Sequence, residues 1–196
     1  MLTTPAVRIS YPNIFKAHAI SDGKPKYSVV MMFNKQDPEH MAALKRLKAE
    51  AQAVLEQKWP DEKKRPRIPI SGHDRSPIKD GDKACDQQGI PLVEKNEEYA
   101  GHYLVRASTD KRPVAVAKDK SELLEDPFYG GCWAKVNVNA YAYQKDANQG
   151  VTFGLNGIMF WADDEAFGGG RPSMDAMFGG ESDGSEDASN YDDPLA

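Results

Sequence analysis

Residues 132–145 read CWAKVNVNAYAYQK, and they alternate between two kinds of side chain along nearly their whole length. Because successive side chains of a β-strand point to opposite faces, the alternation divides this segment into two surfaces. One surface contains only small or apolar side chains: Cys132, Ala134, Val136, Val138, Ala140 and Ala142. The segment is therefore predicted to be a strand whose apolar face is turned into the interior of a barrel.

The other surface of this strand has an unusual composition for a face turned to solvent. It interleaves aromatic rings with lysines and amides: Trp133, Lys135, Asn137, Asn139, Tyr141, Tyr143 and Lys145. Stacking of a nucleobase on an aromatic ring contributes roughly 1–3 kcal/mol and requires no particular base, and lysines between the rings meet phosphates. We therefore expect this face to bind single-stranded nucleic acid. The rings would stack on bases, the lysines would contact phosphates, and the asparagines would contact sugar or base.

Two other interpretations of this face remain open. The rings of Trp133 and the tyrosines could pack under a long loop as a second, minor core. A carbohydrate-binding platform also uses aromatics and amides, but it needs neither lysines nor an acidic tail. Duplex DNA would require a recognition helix or a ribbon that fits a groove, and the sequence shows neither.

The rest of the body is predicted to be mostly strand with one helix. Asp37 is a good N-cap, Pro38 suits the first helical position, apolar residues then recur at helical spacing, and Pro60 ends the helix. Strand candidates are residues 7–11, 27–33, 102–107, 114–116 and 151–161. Residues 60–96 form a long irregular excursion with a short strand predicted at 67–70. Several strands around one helix indicate a small, partly closed barrel or a sandwich.

Other residues extend the predicted nucleic-acid surface. Arg106 and Lys26 are expected to contact phosphates, and Arg106 should share a strand face with Leu104. Phe15 and Lys16 form an aromatic and basic pair after the first strand. Tyr129 stands beside two glycines, where a bend in the chain would present its ring.

Charge is distributed very unevenly along the chain. Residues 163–196 hold ten acidic residues and one arginine, a net charge of −9, whereas residues 1–162 sum to +4. We therefore predict two parts, a body at 1–162 and an acidic tail at 163–196 that is disordered by composition. Such a tail serves as an interaction arm or as a screen over a basic site. Its predicted partner-binding residues are Asp183, Glu186, Asp187, Tyr191, Asp192 and Asp193.

Catalytic and metal-binding patterns are weak. The four histidines have no partner at ligand spacing, neither cysteine lies in a CxxC motif, and no phosphate-binding loop is present, so we expect no cofactor and no metal. Asp80 and Asp82 offer two carboxylates to Mg²⁺, as a nuclease requires, but Asp-Gly is also a common turn dipeptide. No apolar run is long enough to span a membrane and no signal peptide is evident, so a cytoplasmic protein with reduced thiols is expected.

Several motifs together resemble a family of phage single-stranded-DNA-binding proteins: YPNIF (11–15), GKPKY (23–27), PIKDGD (77–82), YAGH (99–102), FYGGC (128–132) and VNVNAYAY (136–143). The resemblance spans residues 11–161. It implies a mainly β fold, a five-stranded OB-fold barrel with one inserted amphipathic helix and an acidic tail. It also implies a non-enzymatic role in DNA replication, recombination and repair in the cytoplasm of the host cell.

The resemblance further implies a function for the tail, which would contact phage replication or recombination proteins and compete with DNA for the basic groove. The chain ends in YDDPLA (191–196), which has the acids and proline of functionally related bacterial tails but lacks their terminal aromatic residue. Docking into a pocket that reads a C-terminal phenylalanine is therefore not expected. An annealing or recombination-mediator protein would share the same DNA-binding surface, and the sequence does not separate the two.

Overall fold

The computed structural model describes residues 1–19, 23–145 and 148–169, without the side chain of Lys145. The tail residues predicted to bind partners, from Asp183 to Asp193, lie outside the described residues. In chain order the elements are β1 (Leu2–Thr3), β2 (Val7–His18), β3 (Lys26–Asn34), α1 (Pro38–Lys58), β4 (Ile78–Asp80), α2 (Leu92–Lys95), β5 (His102–Thr109), β6 (Val114–Val116), β7 (Trp133–Lys145) and β8 (Asn148–Ala162).

Five of the strands close into a barrel. The ring runs β2–β3–β5–β8–β7 and returns to β2, with antiparallel pairing except between β5 and β8, which are parallel. The remaining strands are short and add to the barrel strands at their edges. A Greek-key ring of five strands is the OB-fold architecture, and the long helix α1 is inserted between its second and third strands. The predicted fold class is thereby confirmed.

The strand predicted from the alternation along residues 132–145 is confirmed, and it forms β7. Cys132, Ala134, Val136 and Val138 are fully buried in the main core, together with residues of the other barrel strands and of α1. Burial also raises the pKa of the Cys132 thiol to about 11. The apolar face of this strand therefore fills the barrel, as the pattern predicts.

Helix α1 begins and ends where its sequence signals place it. The Asp37 side chain accepts hydrogen bonds from the N–H groups of Glu39 and His40, and the helix ends at Lys58, before Trp59 and Pro60. Its apolar stripe packs on the barrel. His40 is buried as well, although the pattern did not place it in the core. Its Nδ1 accepts from the N–H of Asn34 at 3.0 Å, so its polarity is satisfied.

The largest differences from the expected strands occur in β2 and in the segment at 67–70. Strand β2 continues to His18, with irregular pairing to β3 after Ser10. No strand forms at residues 67–70, so that prediction is wrong. Pro69 removes a backbone donor there, and the strand of this region is β4, which pairs with β5. Within the described residues, no helix is both long and apolar enough to cross a membrane.

Candidate nucleic-acid interface

One side of the barrel carries a groove with a volume of about 680 Å³. Strands β2, β3, β4, β5, β7 and β8, helix α2 and the loops beside them contribute residues to its lining. Its ionic side chains are all basic: Lys26, Arg75, Lys79 and Arg106. Its aromatic side chains are all tyrosines: Tyr11, Tyr99, Tyr141 and Tyr143. No Asp or Glu of the described residues lines the groove, so its surface combines positive charge with aromatic rings.

A glycine on β8 makes room for one of these rings. Tyr143 pairs across the sheet with Gly150, and a Cβ added at Gly150 would lie only 2.8 Å from the Tyr143 hydroxyl oxygen. Because glycine has no side chain, the ring can reach across the backbone of the neighbouring strand. A Cβ at Gly154 would lie 3.5 Å from Cε1 of Tyr141, an ordinary contact distance. The ring of Tyr143 is therefore held on the groove wall by the sequence of β8 as well as by that of β7.

Tyr11 is placed in the groove by an unusual backbone conformation. Its φ is 46°, in the left-handed region that non-glycine residues rarely adopt, and it lies where the pairing of β2 with β3 shifts register. The side chain is 61% exposed, and its hydroxyl donates to Oδ1 of Asn96 at 2.7 Å. Strain of this kind is found at functional sites. The sequence carries only an indirect signal for it, the proline that follows Tyr11 inside a strand.

Tyr99 lies under the groove and supports it. It is only 4% exposed, its hydroxyl donates to Oγ of Ser10 at 3.2 Å, and burial raises its pKa to about 12. With Met32 and Leu104 it forms a small core cluster beneath the groove. Its ring therefore belongs to the floor, which leaves Tyr11, Tyr141 and Tyr143 as the rings available to a ligand.

Three of the four basic side chains of the groove, Arg75, Lys79 and Arg106, form no ion pair with an acid of the described residues. Partial desolvation lowers the pKa of both Arg106 and Lys79, and the charge of Arg106 lowers that of Lys79 further, although Asp74 opposes this. Arginine stays charged at neutral pH whatever its surroundings. An anion in the groove would therefore find positive charge that the protein itself leaves uncompensated.

The predicted residues divide between this groove and the rest of the surface. Tyr141, Tyr143, Arg106 and Lys26 line it, and Arg106 shares the groove face with Leu104 as expected. Lys26 also pairs with Asp110 at 3.3 Å, and both side chains are exposed. Sequence reasoning missed Arg75 and Lys79, although the length of the irregular excursion at 60–96 was a signal of function.

Four predicted residues on the same face of β7 do not line the groove. Trp133 donates from Nε1 to Asp164, and Lys135 lies 3.8 Å from the centre of the Trp161 ring. Asn137 bonds to the side chains of Thr3 and Asn156, and Asn139 lies beside Gly154. A long strand coils around a small barrel, so one face of it points in different directions along its length.

The other predicted contacts are also outside the groove lining. The ring of Phe15 is covered by Arg112, whose guanidinium carbon lies 4.5 Å from the ring centre, and Lys16 is exposed on β2. The Tyr129 hydroxyl donates to Asp163 at 2.9 Å. The side chain of Lys145 lies outside the described part of the chain.

Residues 163–167, which we call the C-terminal clasp, fold back against the barrel. Arg8 donates to the carbonyl of Gly131 at 2.9 Å, lies 3.5 Å from Asp164, and has its guanidinium 4.4 Å from the centre of the Phe167 ring. Burial would raise the pKa of Asp164, but hydrogen bonds, including one from Trp133, and the charge of Arg8 outweigh it and lower that pKa. Phe167 also packs against the cluster beneath the groove. The clasp therefore holds the beginning of the acidic segment beside the groove.

Asp80 and Asp82 are engaged in the structure of a turn. Nζ of Lys35 lies 2.5 Å from a carboxylate oxygen of each. Gly81 lies between them, and a Cβ there would overlap the carbonyl oxygen of Tyr99. Neither carboxylate lines the groove. This arrangement matches the turn interpretation, since a metal ion would have to displace Lys35.

Comparisons with known proteins agree with this fold. The chain is similar to the putative protein p50 of Acyrthosiphon pisum secondary endosymbiont phage 1, with 27% identity over 169 residues, 84% of each chain. The structure of the single-stranded DNA-binding protein from bacteriophage Enc34 in complex with ssDNA matches with a TM-score of 0.64 and 24% identity, over 85% of this chain and 88% of that one. That of gp2.5, a single-stranded DNA binding protein encoded by bacteriophage T7, matches with a TM-score of 0.56 and 15% identity, over 96% and 98%.

The match to a whole family is more decisive than any single relative. The sequence model of the family described as Enterobacter phage Enc34, ssDNA-binding protein, matches residues 1–189. The resemblance noted in the motifs is thereby confirmed. This chain belongs to the family of the Enterobacter phage Enc34 ssDNA-binding protein.

Proposed function

We propose that this protein binds single-stranded DNA in the groove without sequence specificity. The observation that carries the proposal is the lining itself, four basic side chains and four tyrosines with no carboxylate among the described residues. The complex of the Enc34 protein with ssDNA supports the choice of ligand. Tyr11, Tyr141 and Tyr143 stack on bases, and Arg75, Lys79 and Arg106 contact phosphates. Because every base has a ring face, stacking of this kind tolerates any sequence.

Single strands fit this chemistry better than duplex does. In a duplex the ring faces of the bases are already stacked on one another, so no base face is free to stack on the exposed tyrosines. The remaining predicted contacts, Trp133, Lys135, Asn137, Asn139, Lys145, Tyr129, Phe15 and Lys16, stay part of the proposal as contacts for a strand that extends beyond the groove.

Fluorescence anisotropy with labelled oligo-dT and with a duplex of equal length tests this function. Single strands should bind more tightly, and the affinity should fall as salt rises, with a log–log slope of about −0.7 for each phosphate contacted. The double variant Tyr143→Ala/Arg106→Gln should weaken the binding strongly. Equal affinity for single strand and duplex, or an unchanged affinity in this variant, would overturn the proposal.

We further infer that the acidic segment competes with DNA for the groove. The charge split supports this, as does the clasp, which fixes the root of the segment beside the groove. Since residues 163–167 contact the barrel, a test deletion should begin after Gly169 and remove residues 170–196, which carry seven acids and one arginine. The deletion should tighten DNA binding, most of all at low salt. A variant with these seven acids changed to their amides should behave in the same way, and wild-type affinity in both would refute the competition.

The cellular role follows from this binding. The protein protects single strands during phage DNA replication, recombination and repair in the host cytoplasm, and its tail contacts phage replication or recombination proteins. Its action is binding and not catalysis. A labelled single strand incubated with the protein and Mg²⁺ should therefore stay intact, and cleavage that is lost in Asp80→Asn/Asp82→Asn would instead establish a nuclease.

A further inference from the structure

The groove continues at one end into a second, smaller cavity. The two cavities share four residues, Arg75, Pro77, Tyr143 and Val151. The other walls of the small cavity include Leu55, Pro66, Ile68 and Ile70. The segment at 66–70 therefore borders the Tyr143 end of the groove, although it is remote from β7 in sequence.

This segment follows directly on a basic stretch of the chain. Residues 63–67 read KKRPR, and residues 58–67 hold five bases against two acids. Lys63, Lys64 and Arg67 are exposed. Among the ion pairs formed within the described residues, none includes Lys63 or Arg67, and Lys64 has only a long contact of 3.8 Å with Asp61. Arg67 stands in the sequence between two residues that wall the small cavity, so its backbone passes close to that cavity, although its exposed side chain is not part of the lining.

The backbone of the basic stretch is fixed by its own side chains. The carboxylate of Asp61 accepts from the N–H of Lys63 at 3.0 Å and caps a short 3-10 turn at Glu62–Lys64. Arg65 donates from Nε to the carbonyl of Trp59 at 2.9 Å, and Trp59 is buried at the end of α1. The side chain of Arg65 therefore holds the loop in place, whereas the basic side chains beside it are exposed to solvent. A loop held in this way loses little conformational freedom when it binds a ligand.

We propose that a single strand longer than the groove continues past Tyr143 and Arg75 onto a basic rim formed by Lys63, Lys64 and Arg67. This inference rests on the proposed function, since it extends the same binding path. The rim holds phosphates but offers no ring of its own for a base. Its contribution is therefore electrostatic, adds to affinity for long strands and is insensitive to base sequence.

The test compares strand lengths in matched variants. The rim variant is Lys63→Ala/Lys64→Ala/Arg67→Ala, and the control is Lys45→Ala/Arg46→Ala/Lys48→Ala on the exposed face of α1. Each removes two lysines and one arginine, and none of the control residues lines either cavity. Oligo-dT of about 6 nucleotides lies in the lower part of the range of OB-fold site sizes, which is about 4–16 nucleotides, and oligo-dT of about 20 nucleotides exceeds that range. The rim variant should bind the long strand about 5-fold or more weakly, with a salt slope smaller by up to about 2, and the short strand normally.

The outcomes separate this inference from the proposed function. Wild-type affinity of the rim variant for the long strand overturns the rim. Equal losses for both lengths, or an equal loss in the control, also overturn it, because they show a general effect of net charge. The groove variant Tyr143→Ala/Arg106→Gln is measured alongside. If the groove variant binds oligo-dT normally, the proposed function itself fails. If the groove variant binds more weakly and the rim variant binds normally, only the proposal of a basic rim is refuted.

Discussion

The contribution of a single ring to binding can be isolated at Tyr141. Its side chain is 36% exposed and belongs to neither core cluster, so replacing it should cost the fold little. Tyr141→Ala removes one stacking platform, which is worth about 1–3 kcal/mol. At 1.4 kcal/mol for each tenfold change, the affinity for oligo-dT should fall by a factor of about 5 to 150.

Tyr141→Phe is the matched control, because it keeps the ring and removes the hydroxyl. Its affinity should stay within about 2-fold of wild type if stacking is what matters. Anisotropy at two salt concentrations adds a second readout. Because no charge is removed, the salt slope should be the same in all three proteins. Circular dichroism melts should show that the alanine variant is folded.

The reasoning fails if Tyr141→Ala binds oligo-dT as tightly as the wild type while remaining folded. It also fails if the phenylalanine variant loses as much as the alanine variant, since the hydroxyl would then be the group that matters.

Three further predictions concern the fold and its ionisable groups. Gly81→Ala should lower the melting temperature severely, because the added Cβ would overlap a backbone carbonyl oxygen. In a domain of this size, about 1 kcal/mol of destabilisation shifts the melting temperature by several degrees. A melting temperature within about 2 °C of the wild type would therefore contradict this prediction. The hydrogen bond from Lys35 lowers the pKa of Asp82, so the pair stabilises the fold above the ordinary carboxyl pKa of about 4, and that contribution is lost as pH falls below it. Asp82→Asn should therefore show a flatter fall in melting temperature between about pH 5 and pH 3, and parallel curves would refute the coupling. Thiol titration of the native protein at pH 8 should find Cys85 reactive and Cys132 protected, since Cys132 is fully buried with a pKa of about 11; two equally fast thiols would contradict the core assignment.

Local patterns predicted the features that depend on neighbouring residues. The alternation of β7 and the cap of α1 are of this kind, because burial of one strand face and satisfaction of a helix end are decided within a few residues. The same alternation correctly put Trp133 and Tyr141 on one face of β7. It could not show that coiling of the strand turns Trp133 toward Asp164 and Tyr141 into the groove.

Residues from irregular segments were beyond the reach of these patterns. Arg75 and Lys79 enter the groove because β4 pairs with β5, a contact between distant parts of the chain that no local period encodes. The side chain of Tyr11 enters the groove at a register shift in the pairing of β2 with β3. In each case the position of the side chain is set by tertiary pairing, which a single sequence does not display.

The parallel pairing of β5 with β8 has a consequence for the order of events during synthesis. The barrel cannot close until β8, the last strand of the described residues to leave the ribosome, has reached both β5 and β7. Until then the nascent sheet has two open edges, and Val151 and Thr152, which form part of the groove, have not yet taken their places. A chain that stops before Gly150 should therefore expose unpaired strand edges and lack a complete groove. The groove is thus completed in one late step of synthesis.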